Sequence, residues 1–168
     1  MHTPIIYREW TPEDFEPVRR VLLETWLATY SSFIPEDDIH SYFSQTYSVD
    51  RLAELCKSPS CKGYVAVVND EVVAFERLQF NDEENRLYIS CVYVLPKSQG
   101  SGIGHHLLRL AEDMARILEL DRVWLGVMVE NKSSVEWYKK FGFTFVQEEP
   151  FLMGKTNVQH LIGYKTVI

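Results

Sequence analysis

The stretch Val92–His106, VYVLPKSQGSGIGHH, decides how the rest of the chain is read. An apolar, β-branched run stops at Pro96, as a strand does. Gly100, Gly102 and Gly104 follow, and then a long amphipathic segment. Ile103, Leu107, Leu110, Ala111, Met114 and Leu118 repeat at helical spacing, which predicts a helix to about Leu120 with these residues as its buried stripe. Closely spaced glycines let backbone N–H groups converge on an anion. A helix start adds free amides and the positive end of its dipole. The segment therefore reads as strand, phosphate loop and helix. A Walker loop needs Lys-Ser or Lys-Thr after its last glycine, where this chain has His105-His106. The dinucleotide pattern G-x-G-x-x-G needs a glycine one position after Gly104. Both fail on spacing. A flexible loop that merely caps a helix is the plain alternative, and three alternating glycines at such a junction weigh against it.

Working outward, Ile5–Trp10 reads as a strand, and Thr11-Pro12-Glu13-Asp14 as a capped helix start. Phe15, Val18, Val21, Leu22, Trp26 and Leu27 carry that helix to about Tyr30. Pro35 opens a second helix, and Ser48 and Asp50 can cap a third that holds Leu52 and Leu55. Gly63–Asn69 and Glu71–Phe80 read as strands joined by an Asn69-Asp70 turn. Arg86–Leu95 is the strand before the glycine loop. Arg122–Val129 is the next strand, Asn131–Phe141 a helix closed by Gly142, and Phe143–Gln147 and Leu161–Val167 the last strands. Long strand runs with only two late crossover helices predict an α/β fold of the α+β mixed kind, a mixed sheet with helices on both faces. One domain over residues 1–168 is expected.

Composition narrows the function. The net charge of −7 argues against a nucleic-acid partner, which would need a basic face. It would favour a cationic substrate by long-range attraction, although acidity for solubility alone is the plainer account. No apolar run approaches the roughly 20 residues that span a bilayer, so no membrane association is expected. Met1-His2-Thr3-Pro4 lacks a basic region followed by an apolar stretch, so no signal peptide is expected. Cys56, Cys61 and Cys91 match no zinc or redox spacing, and the chain reads as cytoplasmic. His2, His40, His105, His106 and His160 form no ligand pattern, so no metal is expected.

The pattern that fits the loop is Gln/Arg-x-x-Gly-x-Gly/Ala, here Gln99-x-x-Gly102-x-Gly104. It follows Tyr93-Val94-Leu95-Pro96 and precedes Ile103-Gly104-x-x-Leu107-Leu108. A second block holds Trp124-Leu125-Gly126-Val127, Asn131, Tyr138 and Gly142-Phe143. In these residues the sequence resembles the GNAT superfamily of acyl-CoA N-acyltransferases, over nearly the whole chain. The resemblance implies a mostly antiparallel mixed sheet, splayed between the strands at 86–95 and 122–130, with acetyl-CoA as co-substrate. It implies that the amides of Gln99, Gly100, Gly102, Gly104 and His105 hold the pyrophosphate. The main chain of Val92 and Val94 would pair with pantetheine like an added strand. A bulge near Val92 would aim an amide at the thioester oxygen, worth roughly 3–4 kcal/mol on a developing oxyanion. Asn131 matches the asparagine that bonds the pantetheine arm, and it can equally cap the following helix.

Amide formation by direct attack needs a neutral amine and a proton for the leaving thiolate. A primary alkyl amine, with a pKa near ~10.4, arrives mostly charged. Tyr138 matches the family's acid near the CoA sulfur, against the plainer reading of a core aromatic. Many relatives hold a water with a glutamate on the strand before the loop. Ser90 stands where that carboxylate is sought. Glu76 on the neighbouring strand is the substitute, against a solvent-facing strand residue or a chain of ordered waters. Glu24–Tyr30 with Phe33-Ile34-Pro35, and Phe151–Gly154, resemble a branch of PaiA-like polyamine N-acetyltransferases. That likeness implies a small-molecule amine acceptor, a polyamine, held by Glu24, Trp26 and Tyr30; a long polycation needs carboxylates, and Glu24, Glu36, Asp37, Asp38 and Glu76 are candidates to supply them. The plain account of Glu36, Asp37 and Asp38 is that they favour a helix N-terminus. Amino acids, antibiotic amines and protein N-termini stay open as acceptors, as does a non-catalytic acyl-CoA-binding module. A homodimer is the expected assembly on family precedent.

Overall fold

The computed structural model describes residues 2–168, and Met1, the first residue of the N-terminal stretch read above, lies outside the described residues. The chain runs β1 (Ile6–Glu9), α1 (Phe15–Tyr30), α2 (Glu36–Thr46), α3 (Val49–Lys57), β2 (Cys61–Val68), β3 (Glu71–Asn81) and β4 (Arg86–Val94). It continues through α4 (Ile103–Ile117), β5 (Arg122–Met128), α5 (Lys132–Phe141), β6 (Thr144–Met153) and β7 (Thr156–Thr166). The predicted element order holds throughout.

Local chemistry sets the junctions. The Thr11 amide donates to Asp14 Oδ2 at 2.8 Å, and a 3-10 turn over Pro12–Asp14 feeds into α1. Ser48 Oγ accepts the Arg51 amide at 3.1 Å and caps α3. Asn69 and Asp70 take φ of 49° and 61°, the paired left-handed residues of a tight hairpin turn. At the end of α5, Gly142 takes φ 110°, and the Phe143 amide returns to the Tyr138 carbonyl at 3.0 Å.

The strands form one sheet in the order β1-β2-β3-β4-β5-β7-β6. All neighbours are antiparallel except β4 and β5, which α4 connects. That parallel pair is short: Leu87, Tyr88 and Ile89 face Val123, Trp124 and Leu125, and the strands then part. At the same point β4 carries a bulge. Ile89 faces Leu78 and Cys91 faces Arg77, so Ser90 has no partner on β3. The extra residue changes which face the side chains meet. Leu87 and Ile89 pack with Leu108 and Ala111 of α4, whereas Cys91 joins Trp26 and Tyr30 of α1.

The helices α1–α3 bury Val18, Leu22, Ile39, Phe43 and Leu52 against Val65 and Phe75. On the other face α4 and α5 lie side by side over Leu78, Val123 and Leu125. Two expectations are corrected here. The buried stripe of α4 takes in Leu108 and Ala115, while Leu118 is exposed, because Glu119 at φ 57° ends the helix before a further turn forms. The last two strands are longer than predicted. The predicted strand ends at Gln147, yet β6 runs on through Pro150 to Met153, because it is the sheet's edge, where a proline is tolerated.

The tip of the β6–β7 hairpin is pinned to α2. Asp38 accepts the Lys155 amide at 3.0 Å and the Thr156 hydroxyl at 2.6 Å. Gly154 makes this approach possible, because a Cβ there would stand 2.6 Å from the Asp38 carboxylate and its φ is +61°. Gly154→Ala should cost about 1–3 kcal/mol of stability, measured by urea unfolding, from backbone strain and the lost close approach.

Candidate active site

Where β4 and β5 part they leave a slot, walled by Ser90–Val94 on one side and Gly126–Met128 on the other. The slot opens into a cleft of about 890 Å³ that runs from α1 to β7. The glycine loop forms one end of it. Gly100 and Gly102 take φ of +78° and +86°, and a Cβ at either would meet nothing within 4 Å. The loop is therefore an open cradle that only glycine forms without strain. The first hydrogen bond of α4 is His106 N–H to Gly102 C=O at 3.1 Å, so the amides of Ile103, Gly104 and His105 have no helical partner. Gly104 also makes room for a neighbour: a Cβ there would stand 3.0 Å from the Trp137 ring.

The other expected donor-side residues are brought to this cleft. Val92, Val94, Gln99, His105 and Asn131 all line it. Gln99 Nε2 donates to the Val94 carbonyl at 3.0 Å, which engages one main-chain group expected to face pantetheine. The Asn131 side chain makes no capping bond to the α5 backbone, and its Oδ1 accepts the Ser133 hydroxyl at 3.5 Å. His105 and His106 diverge as adjacent helix residues must. His105 stacks on Trp137, and His106 stacks on Tyr7. Tyr138 lines the cleft from α5, and burial pushes its phenol up, so it keeps its proton across the neutral range.

The other end, where the acceptor residues are expected, is aromatic. Trp26 and Tyr30 line it, with Tyr42, Tyr47, Tyr93 and Phe151 around them. The Tyr30 and Tyr93 hydroxyls lie 3.3 Å apart. Glu24 is exposed on α1 and is not among the lining residues. Glu76 is a correction to the solvent-facing alternative, since it is 0% exposed. Neither of its oxygens has a partner, and burial raises its carboxyl well above the usual range. It faces Tyr64 and Val92 across the sheet and does not line the cleft.

Arg77 and His160 are among the lining residues that the sequence reading did not single out. Arg77 stands next to Glu76 and offered one signal, a second charge inside an apolar strand. His160 lay in a stretch read as loop. In the structure it stacks on Phe151 at 4.3 Å, and burial lowers its pKa below the ordinary 6.5. Burial thus favours the neutral form of this imidazole at physiological pH.

Comparison with known proteins agrees with this geometry. The Acetyltransferase (GNAT) family model matches residues 19–143. The chain belongs to that family and is an acetyltransferase. It is similar to an uncharacterized N-acetyltransferase of Lactobacillus delbrueckii subsp. lactis, 26% identical over 137 residues, covering 78% of this chain and 79% of the relative. It is also similar to the spermine/spermidine N(1)-acetyltransferase of Bacillus subtilis, 29% identical over 84 residues, 48% of this chain and 55% of that protein. The fold matches the crystal structure of PaiA N-acetyltransferase from Thermoplasma acidophilum in complex with coenzyme A. The TM-score is 0.83 at 23% identity, covering 97% of this chain and 99% of that one. Among the described residues no helix is long and apolar enough to cross a membrane.

The raised carboxyl of Glu76 carries a stability consequence. The folded state holds its proton to higher pH than the unfolded chain does. The group therefore carries no ionisation cost below its ordinary pKa of 4.5, and destabilises the fold increasingly as pH rises from there toward its folded value. Glu76→Gln should raise the melting temperature at pH 7–8, by an increment that shrinks toward zero near pH 4, as thermal scans across pH would show. Each unit of separation between the two pKa values corresponds to about 1.4 kcal/mol.

Proposed function

We propose that the chain transfers the acetyl group of acetyl-CoA to the primary amine of a small molecule by direct attack in this cleft. One observation carries the reading: free main-chain amides at a helix start and a proton-holding phenol open into the same cleft, at the point where two strands part. The amides over Gly100–His105 suit a pyrophosphate. Ser90–Val94 and Asn131 suit the arm of the donor, and the unpaired residue at the bulge frees main chain to meet the thioester oxygen. Acetyl-CoA supplies the activated acyl group. The chain's own residues orient it, exclude water with the aromatic wall and move two protons.

Tyr138 gives its proton to the departing thiolate. His160, neutral and in the cleft, takes the proton that the attacking nitrogen sheds. This assignment replaces Glu76 as base, because Glu76 does not line the cleft and burial favours its protonated form. A polyamine acceptor has support from one relative's name. The cleft wall opposes it: no Asp or Glu lines it among the described residues, and Asp38 is committed to the β6–β7 tip. Three unpaired thiols suit a cytosolic setting.

Tyr138→Phe should lower kcat by about 10²- to 10⁴-fold, with CoA affinity unchanged by calorimetry. Equal turnover by the two proteins would remove Tyr138 from the mechanism. In the native enzyme the acid limb of kcat/KM should fall below pH 6.5, since burial lowers the His160 pKa, and His160→Gln should abolish that limb.

A further inference from the structure

The acceptor end of the cleft holds a positive charge without a negative one to meet it. Arg77 lines the cleft, and its Nε is buried with no hydrogen-bond partner. Its Nη1 donates to Gln79 Oε1 at 3.3 Å, and the Tyr47 hydroxyl and the thiols of Cys61 and Cys91 stand around it. None of these is a carboxylate, and no ion pair includes Arg77 among the described residues. A guanidinium held this way is costly unless something anionic meets it.

Two neighbouring donors lack acceptors as well. Trp26 Nε1 and Thr25 Oγ1 are buried and unpartnered, on residues 2% and 5% exposed that line the same cleft. Tyr47 links them to Arg77: its ring meets the edge of Trp26 at 5.5 Å, and its hydroxyl lies beside the guanidinium. Arg77 follows Glu76 on β3 and pairs with Cys91 just past the bulge, on the face that α1 covers. A group held there sits against the slot where the thioester would lie.

We propose that the region around Arg77 is a carboxylate subsite, and that the acceptor is an amine bearing a carboxylate, such as an amino acid with an aromatic or apolar body. Arg77 and Trp26 Nε1 donate to the carboxylate, and the rings of Tyr42, Tyr93 and Phe151 enclose the body. This rests on the acetyl-transfer reading: acetyl carries no charge, so the carboxylate belongs to the acceptor. The arrangement also explains why the wall has no acids, because a carboxylate there would pair with Arg77 and repel the ligand.

The test uses matched pairs with acetyl-CoA: L-phenylalanine against phenethylamine and phenylalaninamide, and L-tryptophan against tryptamine. The amino acids should be preferred by about 10- to 100-fold in kcat/KM, the span of a hydrogen bond to a charged group. Arg77→Met should erase that preference through KM, and Arg77→Lys should keep part of it. On the native protein, 3-phenylpropionate should inhibit competitively against the acceptor and leave the KM for acetyl-CoA alone, which serves even if the variants fold poorly. Equal or better turnover of the carboxylate-free amines would overturn the subsite while leaving acetyl transfer intact. Faster transfer from succinyl-CoA than from acetyl-CoA to phenethylamine would assign the anion to the acyl chain and overturn the acceptor assignment. No turnover of either series, with CoA bound, would overturn the aromatic acceptor proposed here and leave acetyl transfer to another amine intact.

Discussion

Three residue pairs hold the two halves of the sheet together. Leu87–Ile89 and Val123–Leu125 form the whole parallel seam between β4 and β5, and everything functional is arranged around where it ends. A parallel pair needs a crossover, and here the crossover is α4. Its start therefore falls at the end of β4, beside the opening slot. The phosphate cradle, the slot and the helix dipole are consequences of one topological step. The bulge at Ser90 works at the same place. It releases main chain from β3 pairing and turns Cys91 and Tyr93 toward α1, so one strand contributes to both core clusters.

The two ends of the cleft are built from different material. The donor end is made of backbone: amides, two glycines at positive φ, and carbonyls along the slot. The acceptor end is made of side chains, rings from α1, α2, β4 and β6 around a guanidinium from β3. A main-chain site tolerates drift in its neighbours as long as the turn persists. A side-chain site changes its preference with each substitution. The Asp38 clasp joins α2 to the β6–β7 hairpin, so the acceptor wall behaves as one piece although its parts are more than 100 residues apart in the chain.

The fold was legible because its signals are local. The Thr11 cap, the Asn69-Asp70 turn, Pro96 and Gly142 each fix a boundary through neighbours in sequence. The glycine-loop geometry was legible for the same reason, since Gln99–Gly104 is contiguous. The acceptor end was not. Glu24 and Trp26 share a helix, and only packing shows that one faces water and the other faces the cleft. Glu76 and Arg77 are adjacent charges that alternate across the sheet, and the bulge that fixes what they meet lies on another strand. His160 and Phe151 meet through a hairpin whose length was masked by Pro150, a residue that breaks an interior strand but not an edge. Long-range pairing, which composition and periodicity do not encode, decided each of these.

The parted strands leave the sheet unfinished. Past Ile89 the ladder is interrupted, and the edges of β4 and β5 face a gap where a protein strand would otherwise lie. A donor whose arm lies in that gap completes the sheet, and only the folded chain has a gap to complete. Occupancy and folding are then linked by mass action. At a hundredfold excess over its Kd, such a ligand adds about 2.7 kcal/mol to the folded state. Saturation with an activated acyl donor would therefore protect the folded chain against unfolding, and withdrawal of the donor would remove that protection.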